Sequence, residues 1–446
     1  MHFTKPIFSG AYHILQEVKK YRPIIMQFFV FSFGTLFTRG ISLIFAPITM
    51  HMLSPTDYGL LALANSFISI LSACLGLGLR QALPLFYFEY NRQQKIDLIH
   101  DIISLYTFIS VTIVCIILWQ LNFVNQLIFA NESSHTLLIL SLFISFIYFF
   151  VELFYQLLQY RQKAWLLTKI QSLIALLIIV CNLFFLCIMQ WGLISILLGQ
   201  AIGMTCVIAI AIRTYYKYHI YMPINAKRTI YTMNSYIWYG LPFIPSMLFG
   251  TLLASGDRWV LAHLSSMHNV GIYSLANTLT QLINMILLYA ITGSYMPHLL
   301  NTFHTQKNRI FAIEQENKKI MWFCMCASFL ILSIGFGCTK SILYWLIPLK
   351  FHEAINYMGL LLIGSVFYLG THFLNCLIQY HKKSRFLGFV LILPASLNIV
   401  LNILLVPYFS IYGCVIATLI SYVMYFLITL LYNKKLCLYS NLTMHK

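Results

Sequence analysis

The chain carries one sequence pattern twice. Residues 157–163 read Leu-Leu-Gln-Tyr-Arg-Gln-Lys, and residues 377–383, 220 positions later, read Leu-Ile-Gln-Tyr-His-Lys-Lys. An asparagine follows 19 residues after each final lysine, at Asn182 and Asn402. An earlier match, at an offset of 212, relates residues 51–65 to residues 263–277. A repeat over half of a hydrophobic chain is typical of membrane transporters built from two pseudo-symmetric lobes.

Hydropathy gives the number of membrane spans. The chain is 60% hydrophobic and 9% charged, with a mean hydropathy of +0.81, which excludes a soluble protein. Apolar runs of about 20 residues predict twelve spans, at 26–50, 58–79, 100–121, 136–158, 166–189, 192–212, 237–262, 272–295, 320–339, 357–379, 386–406 and 411–432. Because each copy has an even number of spans, six, both copies enter the membrane from the same side. The two copies are therefore related by an axis along the membrane normal.

The predicted fold is therefore an all-α integral membrane protein with two pseudo-symmetric six-helix lobes. We predict a cytoplasmic segment at 1–22, an N-lobe with helices 1–6 at 23–213 and an inter-lobe linker at 214–235. A C-lobe with helices 7–12 follows at 236–432, and a cytoplasmic tail at 433–446.

Basic residues predict the orientation. With the N-terminus in the cytoplasm, 24 of the 28 lysines and arginines fall on inside segments and two, Lys340 and Lys350, fall outside. The positive-inside rule then places both termini in the cytoplasm. The formal charge of +17 is spread over short loops that would face anionic headgroups, so a nucleic-acid partner is not expected.

Charged residues inside spans are the candidate site residues. Arg39 lies near the middle of the first predicted span, and a charge there costs at least about 2.5–3.5 kcal/mol. We interpret it as an anion clamp in a central cavity; the alternative is an internal ion pair with Glu152 or Asp257.

Asp257 and Arg258 are adjacent in the seventh span and diverge by about 100° on a helix. We expect Arg258 to line the path and Asp257 to anchor packing, unless the two only mark the membrane exit.

Symmetry selects a second set of polar residues. Glu152 and His372 are related by the offset of 220 and begin similar helical stripes, with Gln156 and Gln159 following Glu152. These residues, and also Asp257, could line the cavity or couple transport to a proton or sodium ion, or they could make only packing contacts. Pro242 and Pro245 open the seventh span and are hinge candidates. The sequence has no nucleotide-binding motif, metal-ligand spacing or catalytic triad signature, so neither a cofactor nor a catalytic residue is expected.

Four further motifs are Leu-Ser-Pro-Thr-Asp-Tyr-Gly at 53–59, Gly-Asp-Arg-Trp at 256–259, Val-Gly-Ile-Tyr-Ser-Leu-Ala at 270–276 and Asn-Ile-Val-Leu-Asn at 398–402. These motifs resemble those of the Wzx polysaccharide flippases of the multidrug, oligosaccharidyl-lipid and polysaccharide exporter superfamily. Pro407, Gly413 and Ala417-Thr418 continue the resemblance. It extends over nearly the whole chain. A lipid II transporter in the superfamily has 14 helices, and the two additional spans are lacking here.

The resemblance implies that the chain moves an undecaprenyl-pyrophosphate-linked oligosaccharide from the inner to the outer leaflet of a bacterial plasma membrane, for O-antigen or other surface polysaccharide synthesis. Arg39 and Arg258 would then hold the pyrophosphate, since guanidinium groups match phosphate oxygens. Polysaccharide polymerase and chain-length proteins would be partners. The alternatives are a cation-coupled multidrug antiporter and a membrane glycan polymerase or ligase.

Overall fold

The computed structural model describes residues 45–444 except 77, 131–133, 218–235, 237–239, 291–298, 300–309 and 382. Within these residues the secondary structure is helical and no strand occurs, so the predicted all-α class is confirmed. The N-lobe helices are α1 (Pro55–Leu75), α2 (Leu79–Glu89), α3 (Arg92–Trp119), α4 (Leu121–Phe129), α5 (His135–Tyr160), α6 (Ala164–Leu183) and α7 (Ile194–Lys217). The C-lobe helices are α8 (Ile244–Leu264), α9 (Met267–Ala290), α10 (Ile310–Leu346), α11 (Glu353–Tyr380), α12 (Ser384–Phe389), α13 (Ile392–Phe409) and α14 (Ile411–Met444).

The predicted spans agree with these helices from the second span onward. Each span from 58–79 to 411–432 overlaps a helix, and nine helical segments in the described residues are long and apolar enough to cross a membrane. The helices α8 and α9 are long enough but are not among the nine. Both pack against the other lobe. The first predicted span, 26–50, lies mostly outside the described residues.

Short turns set the ends of the helices. Ser54 caps α1, because its hydroxyl accepts from the Asp57 N–H at 3.1 Å while the Asp57 carboxylate accepts from the Ser54 N–H. Gly78 separates α1 from α2 with a φ of +67°, a left-handed conformation that favours glycine. Gln162, also at positive φ, lies in the turn between α5 and α6.

Antiparallel packing places these turns at two ends of the bundle. One end, called here the basic end, carries the turns at Asn91, Arg161–Lys163 and Lys383. The opposite end carries Ser54, Ser265 and Ser410, where Asn269 donates to the Ser410 hydroxyl at 2.9 Å.

The two lobes meet along α1. In the N-lobe α5 packs on α1 and α7, and α7 packs on α6; in the C-lobe α14 packs on α11 and α13, and α13 on α8. The helix α1 also packs on α8 and α9, so it belongs to both the N-lobe core and the lobe interface.

The outer surface is rich in large apolar side chains, unlike that of a soluble protein, and the largely apolar interior also holds polar side chains. Large apolar side chains point outward, among them Trp119, which is 86% exposed, and Phe108, which is 73% exposed. Polar side chains such as Ser145, Asn402 and Thr429 are fully buried. Hydrocarbon would solvate the first group, and each of the second donates a hydrogen bond to a helix backbone or to a neighbouring side chain.

Candidate functional site

A cavity of about 340 Å³ lies between the two lobes. The N-lobe walls come from α1, α2, α5 and α7, and the C-lobe wall comes from α8. The lining residues are Asn65, Ile68, Ser69, Ser72, Ala73, Gly76, Arg80, Tyr148, Phe149, Gln200, Met247 and Thr251. They lie on the half of α1 and of α8 that is nearer the basic end, so the cavity is displaced from the middle of the interface towards that end.

The neutral polar side chains give the cavity hydrogen-bonding capacity. Ser69 donates to the Asn65 carbonyl at 2.8 Å, and Ser72 donates to the Ser69 carbonyl at 3.0 Å. On the facing wall Thr251 donates to the Met247 carbonyl at 2.8 Å. Because each hydroxyl donates within its own helix, its oxygen remains able to accept from a ligand. Such a lining suits a ligand rich in hydroxyl groups.

Arg80 is the charged residue in this lining. Its guanidinium Nη1 lies 3.0 Å from Glu152 Oε2, and the Arg80 side chain keeps 38% of its surface exposed. Gln156 Nε2 donates to the Arg80 backbone carbonyl at 3.2 Å. The helix α5 therefore fixes both the backbone and the side chain of Arg80. A guanidinium held by one carboxylate still has donors for a second anion.

Arg80 was not predicted as a site residue from the sequence, because the charge count placed it among the loop cations. The signal that could have found it is the run Leu-Gly-Leu-Gly-Leu-Arg at 75–80. The two glycines end one helix and start another, and α2 continues beside α5, with Arg80 next to Glu152 and Tyr87 next to Tyr160.

The symmetry-related stripes have different surroundings in the two lobes. Glu152 and Gln156 both contact Arg80, whereas Gln159 is exposed. His372, the counterpart of Glu152, lies on α11 with its ring 5.1 Å from the Tyr368 ring in an edge-on contact. A coupling role for Glu152 and His372 stays a prediction.

Asp257 and Arg258 point to different parts of the molecule. Asp257 is 1% exposed, and its carboxylate accepts from the Tyr273 hydroxyl and from the Arg258 N–H, inside the C-lobe. Arg258 Nη1 donates to the Ser66 hydroxyl at 3.1 Å, across the lobe interface on α1. Asp257 thus has packing contacts, and Arg258 bridges the lobes without lining the cavity described above.

The remaining predicted residues divide into placed and unplaced ones. Arg39 lies outside the described residues. Pro242 lies in a 3₁₀ turn, Leu241–Phe243, and Pro245 lies in the first turn of α8. Proline suits a first turn because no hydrogen bond is lost there, so the hinge role stays a prediction. Among the described residues no cluster of metal-ligating side chains occurs.

The lobes make contact at both ends of the cavity. Towards the opposite end, the repeat-related Gly59 and Gly271 face each other, and a Cβ on Gly271 would overlap the Pro55 carbonyl. Lys350 Nζ also donates to the His51 carbonyl at 3.0 Å there. Towards the basic end, a Cβ on Gly78 would overlap the Gly240 carbonyl. The cavity therefore lies between two constrictions formed by close backbone contacts.

Comparison with known structures identifies the fold. A structure of the lipid II flippase MurJ in an inward closed conformation matches with a TM-score of 0.74 at 16% identity, over 91% of this chain and 87% of that chain. An inward-facing structure of a multidrug resistance MATE family transporter of the MOP superfamily matches with a TM-score of 0.69 at 14% identity, over 91% of this chain and 94% of that chain. An outward-facing structure of a multidrug resistance MATE family transporter of the MOP superfamily matches with a TM-score of 0.60 at 15% identity, over 92% of this chain and 95% of that chain.

Comparison at the level of families covers more than half of the chain. The model of a family described as polysaccharide biosynthesis protein matches residues 24–303. No curated protein sequence matches the chain. The chain therefore belongs to the polysaccharide biosynthesis protein family, and it has the fold of the membrane transporters of the MOP superfamily.

Proposed function

We propose that this protein translocates a lipid-linked oligosaccharide, carried on undecaprenyl pyrophosphate, from the cytoplasmic to the outer leaflet of a bacterial plasma membrane. The observation that carries the proposal is the cavity between the lobes, whose lining includes neutral polar side chains, with Arg80 held by Glu152 on its wall. Membership of a polysaccharide biosynthesis family supports the substrate class. The basic end would face the cytoplasm, as the distribution of lysine and arginine predicts.

The physical problem in such a transport is the glycan. Each hydroxyl that enters hydrocarbon without a hydrogen-bond partner costs several kcal/mol. A cavity lined by Asn65, Ser69, Ser72, Gln200 and Thr251 replaces those lost hydrogen bonds. At about 340 Å³ the cavity has the size of a small-ligand pocket, so in this state it would hold the pyrophosphate and the first sugar.

Arg80 is the residue that we propose to bind the pyrophosphate. Its guanidinium fork matches phosphate oxygens, and Glu152 and Gln156 orient it towards the cavity. Arg39 and Arg258 are proposed as further contacts for the anion when the lobes rearrange. The outward movement of a negative charge across an inside-negative membrane gains about 2.3 kcal/mol per charge per 100 mV, which favours the direction of transport.

Alternating access would come from the two constrictions. Separation of Gly78 from Gly240 would open the cavity to the basic end, and separation of Gly59 from Gly271 would open it to the opposite end. A proton or sodium ion could reset the cycle through Glu152 or His372. Polymerase and chain-length proteins would receive the product on the outer face.

The test is the sidedness of a labelled isoprenyl-pyrophosphate oligosaccharide in proteoliposomes. Access of a membrane-impermeant glycosidase to the label is measured for wild type, Arg80→Ala, Arg80→Lys and Glu152→Gln. Arg385→Ala is the matched control, because Arg385 is an exposed cation in the short helix α12.

We expect wild type and Arg385→Ala to translocate the label, Arg80→Ala to lose at least about tenfold in rate, and Arg80→Lys to recover part of it. A wild-type protein that leaves the label on its original side but exports ethidium would overturn the proposal and favour the multidrug alternative. Equal rates for all variants would remove Arg80 from the site.

A further inference from the structure

The C-lobe contains a cluster of polar and aromatic side chains between α11 and α14. It is called here the tyrosine cluster and consists of Tyr368, His372, Asn375, Tyr422 and Tyr425. The centre of the Tyr368 ring lies 5.1 Å from that of Tyr422 and 6.4 Å from that of Tyr425. The His372 ring meets the Tyr368 ring edge-on at 5.1 Å. Tyr425 is buried, whereas the other four side chains are half-buried, so one side of the cluster is accessible.

Several polar atoms of the tyrosine cluster have no hydrogen-bond partner in the part of the chain that the structure describes. Asn375 Nδ2 donates to the Tyr425 hydroxyl at 2.9 Å, but Asn375 Oδ1 is buried and unpaired. His372 Nε2 is also buried and unpaired. Tyr368 and Tyr422 make ring contacts, and neither hydroxyl is hydrogen-bonded to a described residue. Because most buried polar groups in proteins have a partner, these neighbouring exceptions indicate a site that a polar ligand would complete.

The face of α11 that carries the tyrosine cluster points away from α10. Tyr368, His372 and Asn375 share this face, because they follow the i, i+4, i+7 spacing of a helix. Ile363 and Val366, which border the groove between α10 and α11, lie on roughly the opposite face. The helix α10 exposes large apolar side chains on its outer side. The tyrosine cluster therefore does not belong to this lipid-facing surface.

Arg258 connects the tyrosine cluster to the lobe interface. It lies within electrostatic range of Tyr422. Its guanidinium also donates to the Ser66 hydroxyl on α1 at 3.1 Å. One side chain is thus near the cluster and bonded to the N-lobe, which places the cluster beside the interface between the lobes.

The repeat gives the N-lobe counterpart of this face. The offset of 220 relates Tyr368 to Tyr148 and His372 to Glu152. Tyr148 lines the cavity between the lobes, and Glu152 holds Arg80 on the wall of that cavity. The same face of the repeat-related helix therefore carries an ion pair in the N-lobe and neutral aromatic groups in the C-lobe. The two faces suit different parts of one amphiphilic ligand.

The chemistry of the tyrosine cluster suits a sugar. Tyrosine rings present flat apolar faces, and imidazole and amide groups supply donors and acceptors for hydroxyls. A pyranose ring has the matching combination of C–H groups on its faces and hydroxyls on its rim. The five side chains include no carboxylate, so a neutral ligand fits better than an organic cation.

We propose that the tyrosine cluster is a sugar-binding subsite, in which a pyranose stacks on Tyr368 and its hydroxyls bond to His372 and Asn375. The inference rests on the function proposed above, since the sugar would belong to the glycan of the translocated lipid. The N-lobe would then hold the pyrophosphate at Arg80, and the C-lobe would hold the glycan.

The experiment measures binding to the purified full-length protein in phosphatidylcholine nanodiscs. One probe is geranyl pyrophosphate, which has no sugar. The others are geranyl-pyrophosphoryl monosaccharides with N-acetylglucosamine, glucose, galactose or rhamnose. The variants are Tyr368→Leu, which removes the stacking ring, and His372→Leu, which removes an unpaired group and so should not cost stability. Tyr408→Leu is the matched control, because Tyr408 is 83% exposed on α13.

We expect wild type to bind at least one glycosylated probe about tenfold more tightly than geranyl pyrophosphate. Tyr368→Leu and His372→Leu should each reduce this gain at least about threefold and leave the affinity for geranyl pyrophosphate within about twofold. Tyr408→Leu should keep the whole gain. Arg80→Ala should weaken the binding of all probes alike, which tests the pyrophosphate site separately.

The outcomes distinguish the subsite from the proposed function. If wild type binds geranyl pyrophosphate but gains nothing from any sugar, or if both cluster variants keep the gain, the subsite is wrong and the pyrophosphate site stands. A gain that persists in Arg80→Ala supports the subsite and contradicts the role of Arg80. Wild-type protein that binds none of the probes contradicts both. If Tyr368→Leu weakens the binding of ethidium and not that of the sugars, the cluster is a cation site instead.

Discussion

The two lobes have the same helical framework but different polar interiors. In the N-lobe the charged pair Arg80–Glu152 lies on the wall of a cavity and remains partly exposed. In the C-lobe the polar groups are enclosed: Asp257 with Tyr273, and Glu314 with His381. The charged side chains thus have different surroundings in the two lobes: those of the N-lobe border a cavity, and those of the C-lobe lie in buried contacts. Among the charged residues, stability and transport should depend on different lobes.

The largest expected difference is the one in stability between the variants Asp257→Ala and Arg80→Ala. Asp257→Ala removes the buried carboxylate that accepts from the Tyr273 hydroxyl and leaves only the longer contact with Thr418, so we expect the free energy of unfolding in mixed micelles to fall by about 3 kcal/mol. Arg80→Ala removes a pair that is partly exposed, so its cost should stay below about 1 kcal/mol. Similar losses of stability in both variants would contradict the division between the lobes.

The second prediction concerns the close contact at the opposite end. Gly271→Ala places a Cβ against the Pro55 carbonyl, which is backbone and cannot rotate away, and should cost about 1–3 kcal/mol. Gly337→Ala, with open space around it on α10, should be neutral or stabilising. Thermal unfolding of the two purified variants measures the difference. A Gly271→Ala protein as stable as wild type would show that the lobes do not pack this closely.

The third prediction compares two asparagines that the repeat relates. Asn277 is 7% exposed and accepts from Gln281 Nε2 at 3.3 Å, so Asn277→Ala should cost about 1 kcal/mol. Asn65 is exposed and lines the cavity between the lobes, so Asn65→Ala should change the free energy of unfolding by less than about 0.5 kcal/mol. We expect the order to reverse in the translocation assay. The asparagines would be equivalent, against this prediction, if both variants lowered the translocation rate equally.

The smallest expected effect on stability belongs to the hinge candidate. Pro245→Ala, in the first turn of α8, should change the free energy of unfolding by at most about 1 kcal/mol. If this turn bends during transport, translocation should slow several-fold. Pro55→Ala is the matched control, since Pro55 occupies the first turn of α1 in the N-lobe. An unchanged translocation rate in Pro245→Ala would contradict the hinge role predicted for Pro245.

Much of the architecture could be predicted because hydropathy is a local property. Runs of apolar residues gave the helices from 58–79 onward, and the repeat of 157–163 at 377–383 gave two lobes. The candidate site was harder to predict from the sequence. Glu152 and Gln156 were chosen as a helical stripe, and both meet Arg80. Their partner was missed, because nothing in the local sequence says that α2 packs beside α5.

The sequence by itself determined the membrane class, the helical framework and its internal symmetry, since these follow from hydrophobicity along the chain and from repeated residues. Only the tertiary structure decided which polar groups meet. Arg80 and Glu152 are 72 residues apart, and Asp257 and Thr418 both reach the Tyr273 hydroxyl from different helices. Such contacts depend on the rotation and depth of each packed helix. Those are set by close contacts such as Gly59 against Gly271, which no pattern within a single helix encodes.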